Sequence, residues 1–584
     1  MDIEDLGQKP SKFKLPKLED ALKFKNQVIE LYNNGTEDIN AFKRKHRMNM
    51  TNPFILGMYE LLVNNNFLGF EQDLEKENML FSLLQIKQCK SWSGIQSITI
   101  FTSAYPEYTR NGIRHKQEFS CAFNCSYCPK QDGSPRSYVE EEPGVARAYK
   151  NKFICVDQIR DRGRQLLKIG HRDLGKWEIL VLGGTWESYP EEYQEEFIRD
   201  MFFAVNTFWD ELPLRKPLSL EEEKTINRTA KTRVVGLTLE TRPDTINAAT
   251  IRKARRMGCT RFQIGIQHID DDVLRVNNRK CPHYKTIAAI KLLKESGFKI
   301  DGHFMPNLPG STLEKDRNMF MNHIVGVKYK MESNDRLYQK IEYMDPDIQC
   351  DQYKYYPTAV TDHTEIKEWF EKGTYVPYPD SDILKLGIEV KQHQPSHTRI
   401  NRFVRDFFAE VIAPGGGREI LGLRSDLQKL VPNCRCMRCR EVKSEKWNGK
   451  YQVRIIQYGA SGGQEYFIEA VSELHPDLDD WRTMYGCVRL RLDHAFNKVF
   501  VELNQAALLR ELHVYAPTTF VGQKGEHVQH KGLGTRLMHE AESIAIRNGY
   551  RKMAIIAAIG SQTFYERLGY NEEGEGGYMF KKLI

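Results

Sequence analysis

The chain has 584 residues, 40% hydrophobic and 28% charged, with 85 Lys and Arg against 78 Asp and Glu. That length exceeds a single hydrophobic core and predicts two to four domains, and a net charge of +7 permits a nucleic-acid partner without demanding one. Apolar runs stay short of the ~20 residues of a membrane span, and MDIEDLGQKPSKFKLPK at the start lacks the apolar stretch of a secretory leader, so a reducing, cytoplasmic location is expected and the twelve cysteines point to metal or redox chemistry rather than disulfides.

Residues 1–92 read as helical, because ALKFKNQVIELY and NPFILGMYELLVNN carry apolar residues at helical spacing. Between them AFKRKHR supplies Lys43, Arg44, Lys45 and Arg47 with no acid. Taken alone this run is a solvated helix face; it is also the candidate nucleic-acid contact of the segment. From 93 to 415, the runs SITIFTS, WEILVLGG, TRVVGLTLET, RFQIGIQ, KIDGHFMP and QYKYYP alternate with stretches of helical length. Strand–helix alternation predicts an α/β domain with a parallel sheet closed part-way into a barrel, its ligand site at the C-terminal strand ends. Those ends carry Gly183-Gly184, Glu240 and Gln267. Residues 416–446 form a Cys-rich linker with eight Lys or Arg against four Asp or Glu between Arg418 and Lys446. From 447 to 584, YQVRIIQYG, CVRLRLD, KVFVELN and LRELHVYA read as successive antiparallel strands of an α+β domain. They precede the Gly-rich QHKGLG, a helix, the strand MAIIAAI and a short helix SQTFYERLGY.

Three features carry chemistry. FSCAFNCSYCPK places Cys121, Cys125 and Cys128 in Cys-x3-Cys-x2-Cys spacing. A 4Fe–4S cluster takes four ligands, so three thiolates leave one iron open. That is the arrangement of radical S-adenosylmethionine enzymes, in which the methionine end chelates the open iron and reductive cleavage yields a 5′-deoxyadenosyl radical. Zinc would want a fourth ligand, and only His115 stands nearby in sequence. Gly183 and Gly184 end a strand where backbone could approach the methionine amine, with Glu240 and Gln267 at neighbouring strand ends as further cofactor contacts.

The second feature is Gln529 to Gly534, a loop opening a helix, where backbone N–H groups suit a pyrophosphate. It resembles the acetyl-CoA loop of the GCN5-related N-acetyltransferase fold, with Gln529, Gly532, Leu533 and Gly534 at the pattern positions and Phe564-Tyr565 where that fold places an aromatic near the thioester. The third is NCRCMRCRE, where Cys434, Cys436 and Cys439 suit a structural zinc site. Its fourth ligand is open among His393, His397, His475, Cys350 and His513.

A cluster motif and an acetyl-CoA loop in one chain resemble the family of Elongator catalytic subunits, which modify the wobble uridine of tRNA. The likeness runs from about residue 20 to the end, through GGTWESYPEEYQEEFIRD, NRTAKTRVVGLTLETRPD, GCTRFQIGIQHIDDDVL, LRELHVYA and QHKGLGTRLMHEAE. The resemblance implies a 4Fe–4S cluster, S-adenosylmethionine, acetyl-CoA as carbon donor, a tRNA anticodon stem-loop as substrate, and partner subunits or self-association. The family's acetyl-CoA contacts would fall on Lys176, Glu511, Leu512, His513, Val514, Gly532, Leu533, Gly534, Phe564 and Tyr565, with Lys176 and Tyr565 in catalytic roles. The chain departs from the family in a shorter gap between its first two cluster cysteines and in Phe564, where a tyrosine is usual. The implied activity is carboxymethylation of uridine at C5; the alternative is a protein lysine acetyltransferase with a structural iron–sulfur domain.

Overall fold

A computed structural model of the chain describes residues 16–36, 38–87, 92–118, 121–443, 449–475, 482–496, 498–515 and 532–584. It divides into two compact units, one of Met1–Ser91 with Arg160–Leu174 and one of Trp92–Ile159 with Gly175–Ile584.

The smaller unit is helical. Its helices Leu18–Lys23, Lys25–Asn34, Ile39–Lys45, Asn52–Asn64 and Leu74–Leu84 include three opened by side-chain caps, from Asp38, Thr51 and Asp73. Each cap oxygen accepts from an amide of the first turn that has no partner within the helix. Leu31, Tyr32, Ile55, Tyr59, Leu62, Leu80 and Leu84 form the core.

The larger unit holds two large sheets and the small antiparallel pair of Glu107–Arg110 with Ile113–Lys116. Its strands are β1 Gln96–Phe101, β2 Glu107–Arg110, β3 Ile113–Lys116, β4 Lys176–Leu182, β5 Arg233–Thr241, β6 Arg261–Gln267, β7 Lys299–Phe304, β8 Val327–Glu332, β9 Tyr338–Tyr343, β10 Gln352–Tyr355, β11 Arg399–Arg402, β12 Gln452–Ala460, β13 Gly463–Val471, β14 Met484–Leu492, β15 Ala507–Val514, β16 Lys552–Ile555, β17 Asn571–Glu573 and β18 Tyr578–Lys582. The first sheet is all parallel, in the order β1-β4-β5-β6-β7-β10-β11, and forms a half-barrel. Its faces differ in chemistry. Ile98, Ile179, Leu237, Phe262, Ile300 and Tyr353 lie on one face. The other face carries Glu178, Thr238, Gln263, Asp301 and Lys354. Helices Glu191–Asn206 and His283–Glu295 pack on β5 and β7.

The second sheet runs β17-β18-β16-β15-β14-β13-β12-β9-β8, with helix Leu533–Arg547 against it. The hairpin β8–β9 comes from within the span 93–415, yet it continues this sheet, with Tyr338–Ile341 parallel to Ile455–Tyr458. KVFVELN is not a strand; Val501–Leu503 is a short 3-10 turn. The strand that pairs with β12 is instead β13, which the sequence pattern did not mark. Its Glu465 and Glu469 break the apolar pattern, and both are fully buried against arginines. Glu469 meets Arg440 and Arg454, and Glu465 meets Arg491 and Arg510.

The second sheet abuts the N-terminal ends of the half-barrel strands. A Cβ on Gly560 would stand 2.6 Å from the Arg233 Cβ and 2.8 Å from the Val234 carbonyl oxygen, so only glycine allows this approach. Arg255 donates to the carbonyls of Gly576, Ala557 and Gly577, and Lys299 ion-pairs with Glu511.

Candidate active site

Cys121, Cys125 and Cys128 lie on a loop against the C-terminal ends of the half-barrel strands. The Cys121 sulfur is 3.5 Å from Thr185 Oγ1, just past β4. The Cys128 amide donates to the Cys125 carbonyl at 3.1 Å, closing a tight turn, and the Ser126 amide is held by the Asn277 carbonyl. Cys125 is buried beside two guanidinium groups, Arg242 at 3.4 Å and Arg279 at 3.7 Å. Burial pushes its thiol up, but Arg279 and Arg242 outweigh that and hold it below the usual thiol range. Cys128 carries no such pairing; burial, then Cys125, pushes it up to about 12. Arg242 is fixed by Asp244 at 2.7 Å and stacks 3.5 Å over Phe123. Among the described residues, the only three acidic, His or Cys groups drawn within 4.8 Å of one another are elsewhere, at Cys434, Cys436 and Cys439. A tetrahedral zinc would pull thiolates to about 3.8 Å, given Zn–S of about 2.3 Å. The wider setting of Cys121, Cys125 and Cys128 fits a larger cluster, and the buried Arg pair fits its anionic sulfurs.

The Gly183 and Gly184 amides both donate to Glu240 Oε2 at 3.3 Å, and the Tyr138 hydroxyl donates to the same oxygen at 2.7 Å. Gly183 has φ +142°, and a Cβ there would fall 1.8 Å from Thr102 Oγ1. The pair is thus a bare backbone ledge directly before Thr185, whose hydroxyl meets the Cys121 sulfur. Gln267 ends β6 at φ +72°, and its buried Oε1 has no partner. These groups form a cradle fit for the amine, carboxylate and ribose of a nucleoside-linked amino acid.

At the other end of the strands, Leu512, Val514, Gly534 and Phe564 come together. The position of a Gly534 Cβ is 3.6 Å from Phe564, 3.7 Å from Val514 and 4.0 Å from Leu512. Gly532 caps the helix that Leu533 opens, with φ +81°. Gln529 lies outside the described residues. Glu511 is fixed by Arg489 at 2.8 Å and by Lys299; burial would raise its carboxyl, but Lys299 and then Arg489 hold it at about 2. His513 Nε2 donates to the Ser93 carbonyl at 2.8 Å and its ring stacks on Tyr515. Lys176 begins β4 opposite Arg233, which reaches Thr563 at 3.3 Å, beside the aromatic pair. Tyr565 is 6% exposed and packs in the core of the second sheet, whereas Phe564 is the half-buried member facing Gly534.

The sulfurs of Cys434, Cys436 and Cys439 gather within 4.8 Å. Hydrogen bonds from Cys434 and Cys439 hold Cys436 well below the usual thiol range. None of the five candidate fourth ligands is among the groups gathered there. His397 is instead stacked 4.0 Å from Tyr458 and bonded to the Tyr343 hydroxyl, His513 is taken up by Ser93, and Cys350 lies under β7 at Gly302. In the helical unit, Lys43 is committed to Asn52 at 2.6 Å, whereas Arg44 and Lys45 meet Asp38 and Glu30 only at 3.9 Å and stay exposed.

A family profile for the Radical SAM superfamily matches residues 119–321, one for the Radical_SAM C-terminal domain matches 350–425, and one for the acetyltransferase (GNAT) domain matches 525–579. A protein of Dehalococcoides mccartyi named tRNA uridine(34) acetyltransferase is 34% identical over 85% of this chain and 99% of its own length. The chain belongs to the tRNA uridine(34) acetyltransferase family. Its human relative, named Elongator complex protein 3, is 32% identical over 79% of this chain and 80% of its own length. The solved archaeal Elp3 of Methanocaldococcus infernus, with an N-terminus deletion, superposes with TM-score 0.63 at 28% identity, over 84% of this chain and all of that one. The radical SAM match implies S-adenosylmethionine and a 4Fe–4S cluster, and the GNAT domain fits acetyl-CoA. Sequence reasoning singled out the cysteines and glycines of this family site but not the role of Arg242 and Arg279. No spacing rule marks an arginine that reaches a cysteine more than a hundred residues away.

Proposed function

We propose that this protein carboxymethylates the wobble uridine of tRNA at C5, with acetyl-CoA as the carbon donor. The observation that carries the reading is the presence, in one compact unit, of a radical SAM half-barrel and an acetyltransferase sheet packed end to end. The names of the relatives, which specify tRNA uridine(34), support it.

Cys121, Cys125 and Cys128 would hold the cluster, with Arg242 and Arg279 balancing its charge. Bound there, cluster and S-adenosylmethionine together supply a 5′-deoxyadenosyl radical. Gly183, Gly184, Glu240 and Gln267 would orient the methionine and ribose portions. Gly532, Leu533 and Gly534 would take the pyrophosphate of acetyl-CoA, with Glu511 to Val514 alongside the pantetheine arm and Phe564 against the acyl end. Lys176 stands at the same end of the half-barrel and would act on the acyl group. Tyr565, next to Phe564, would offer its hydroxyl to the thioester. Zinc at Cys434, Cys436 and Cys439 would be structural, closed by a ligand still to be identified. The tRNA would use Lys43, Arg44, Lys45 and Arg47 as phosphate contacts. Partner subunits or self-association, as the Elongator name of some relatives suggests, would complete the substrate surface. Against the lysine acetyltransferase alternative, a structural cluster would normally take four protein ligands, and this loop offers three.

The test is nucleoside mass spectrometry of tRNA after incubation with reduced protein, S-adenosylmethionine and acetyl-CoA labelled with carbon-13 at both acetyl carbons. The expected product is carboxymethyluridine carrying both labels. Labelled protein lysine with unmodified tRNA would replace this reading with the alternative.

A further inference from the structure

The polar face of the half-barrel carries unpartnered groups in register. Gln263, Asp301 and Gln352 stand opposite one another on β6, β7 and β10, and His303 and Lys354 form the next step toward the strand ends. Asp301 is wholly buried; the Asn401 amide donates to its Oδ2 at 2.9 Å, and its Oδ1 has no partner. Gln352 Nε2 and His303 Nε2 are also buried without partners. Lys354, 8% exposed, donates to Gln263 Oε1 at 2.9 Å. A buried polar group left unpaired is costly, so several in one row mark a place where a polar ligand completes the bonding.

The pattern has a sign. Asp301 offers an acceptor, Gln352 beside it on β10 offers a donor, and His303, one step further along β7 on the same face, offers another. Burial and the nearby cations Lys354, Arg405 and Arg402 hold His303 neutral, so one ring nitrogen donates and the other accepts. The edge of a uracil ring presents a carbonyl, an N3–H and a second carbonyl, which is the complement. Cytosine would turn its N3 lone pair toward the Asp301 carboxylate, acceptor against acceptor. The row also lies between the two cofactor ends. Lys299, two residues earlier on β7 and so about 7 Å away along the strand, is the residue that ion-pairs with Glu511.

We propose that this row reads the substrate base: Asp301 accepts from uracil N3–H, and Gln352 and His303 donate to its two carbonyls. The proposal rests on the functional reading above and names the residues that select uridine. A site built to pair with polar groups discriminates strongly against a base that cannot make the pairs.

Two measurements test it. The native protein is cross-linked to an anticodon stem-loop carrying 4-thiouridine at the wobble position, and the adducts are mapped. Adducts on 299–304 or 352–355 are expected; adducts exclusively elsewhere overturn the proposal, and this arm needs no variant to fold. In the second, Asp301→Asn and Gln352→Glu are compared with the native protein for kcat/KM on stem-loops with uridine or cytidine at that position. The uridine preference is expected to fall about 100-fold or more, while S-adenosylmethionine and acetyl-CoA affinities measured by calorimetry stay within about twofold. An unchanged preference overturns the proposal, as does loss of S-adenosylmethionine binding, which would assign the row to the cofactor. If native protein cross-links at the row but forms no carboxymethyluridine, the functional reading fails and the uracil site stands.

Discussion

Asp351, between the half-barrel strands β7 and β10, is paired with Arg510 of the acetyltransferase strand β15 at 2.6 Å, and both side chains are fully buried. Lys294, Arg489 and Glu465 extend this into a network with no solvent contact. Burial would raise the Asp351 carboxyl, but Arg510, then Lys294 and Arg489, hold it far below the usual carboxylate range.

Removing one member of a buried network leaves its partners charged and dry. Asp351→Ala is expected to destabilise the larger unit by about 3–5 kcal/mol, read by urea unfolding. A loss below about 1 kcal/mol, the scale of an exposed pair, would mean that water enters the network.

The imidazole of His513 is pushed down to about 4 by burial. In the unfolded chain it titrates near about 6.5, so protons bind the unfolded state more tightly. Its contribution to stability is full above that value and is lost as pH falls from about 6.5 toward 4. His513→Gln should flatten the pH dependence of unfolding in that window, leaving the acid limb below it in place. An unaltered slope would show that His513 takes up its proton within the folded chain.

The two cysteine groups should separate cleanly. Replacing Cys121, Cys125 and Cys128 together by Ala should abolish the visible absorbance of reconstituted protein and its formation of 5′-deoxyadenosine. Cys434→Ala should spare both, yet lower bound zinc and the melting temperature. If Cys434→Ala alone removed 5′-deoxyadenosine formation, the second group would belong to the redox site.

Gly534 has room for a methyl, with its nearest neighbour at 3.6 Å, so Gly534→Ala should fold normally. Any loss of acetyl-CoA affinity in that variant then reports the approach of the pyrophosphate. Gly534→Glu adds a like charge and is expected to weaken binding at least about 100-fold by calorimetry. Equal affinity in both variants would move the site elsewhere.

Replacing Lys43, Arg44, Lys45 and Arg47 by Ala should weaken tRNA binding and flatten its dependence on salt. Each lost phosphate contact lowers the log–log slope by about 0.9 on a duplex and about 0.7 on a single strand. An unchanged slope would leave the run as a solvated helix face.

Much of this protein is legible from local pattern alone. The strands β1, β4, β5, β6, β7 and β10 and the helices between them follow from apolar runs and helical spacing, because those signals act over a few residues. The three-cysteine loop and the glycine loop are likewise local, since cluster and phosphate chemistry demand particular residues at short spacing. The strand β13 was hidden by Glu465 and Glu469, whose burial makes sense only beside arginines from 440 to 510. The hairpin β8–β9 reads as part of the half-barrel region, but joins the other sheet because open backbone edges pair wherever a strand is free.

Tertiary structure alone decided the chemistry of the sites. It turned Phe564 toward Gly534 and Tyr565 into the core, a choice that two adjacent aromatics do not reveal. It brought Arg242 and Arg279 to the Cys125 sulfur, and set Asp301 beside Gln352 with His303 one step further along the same face. Sequence determines which groups are available and which short segments are regular. Register across parallel strands determines which groups face one another, and that depends on contacts between residues tens to hundreds of positions apart.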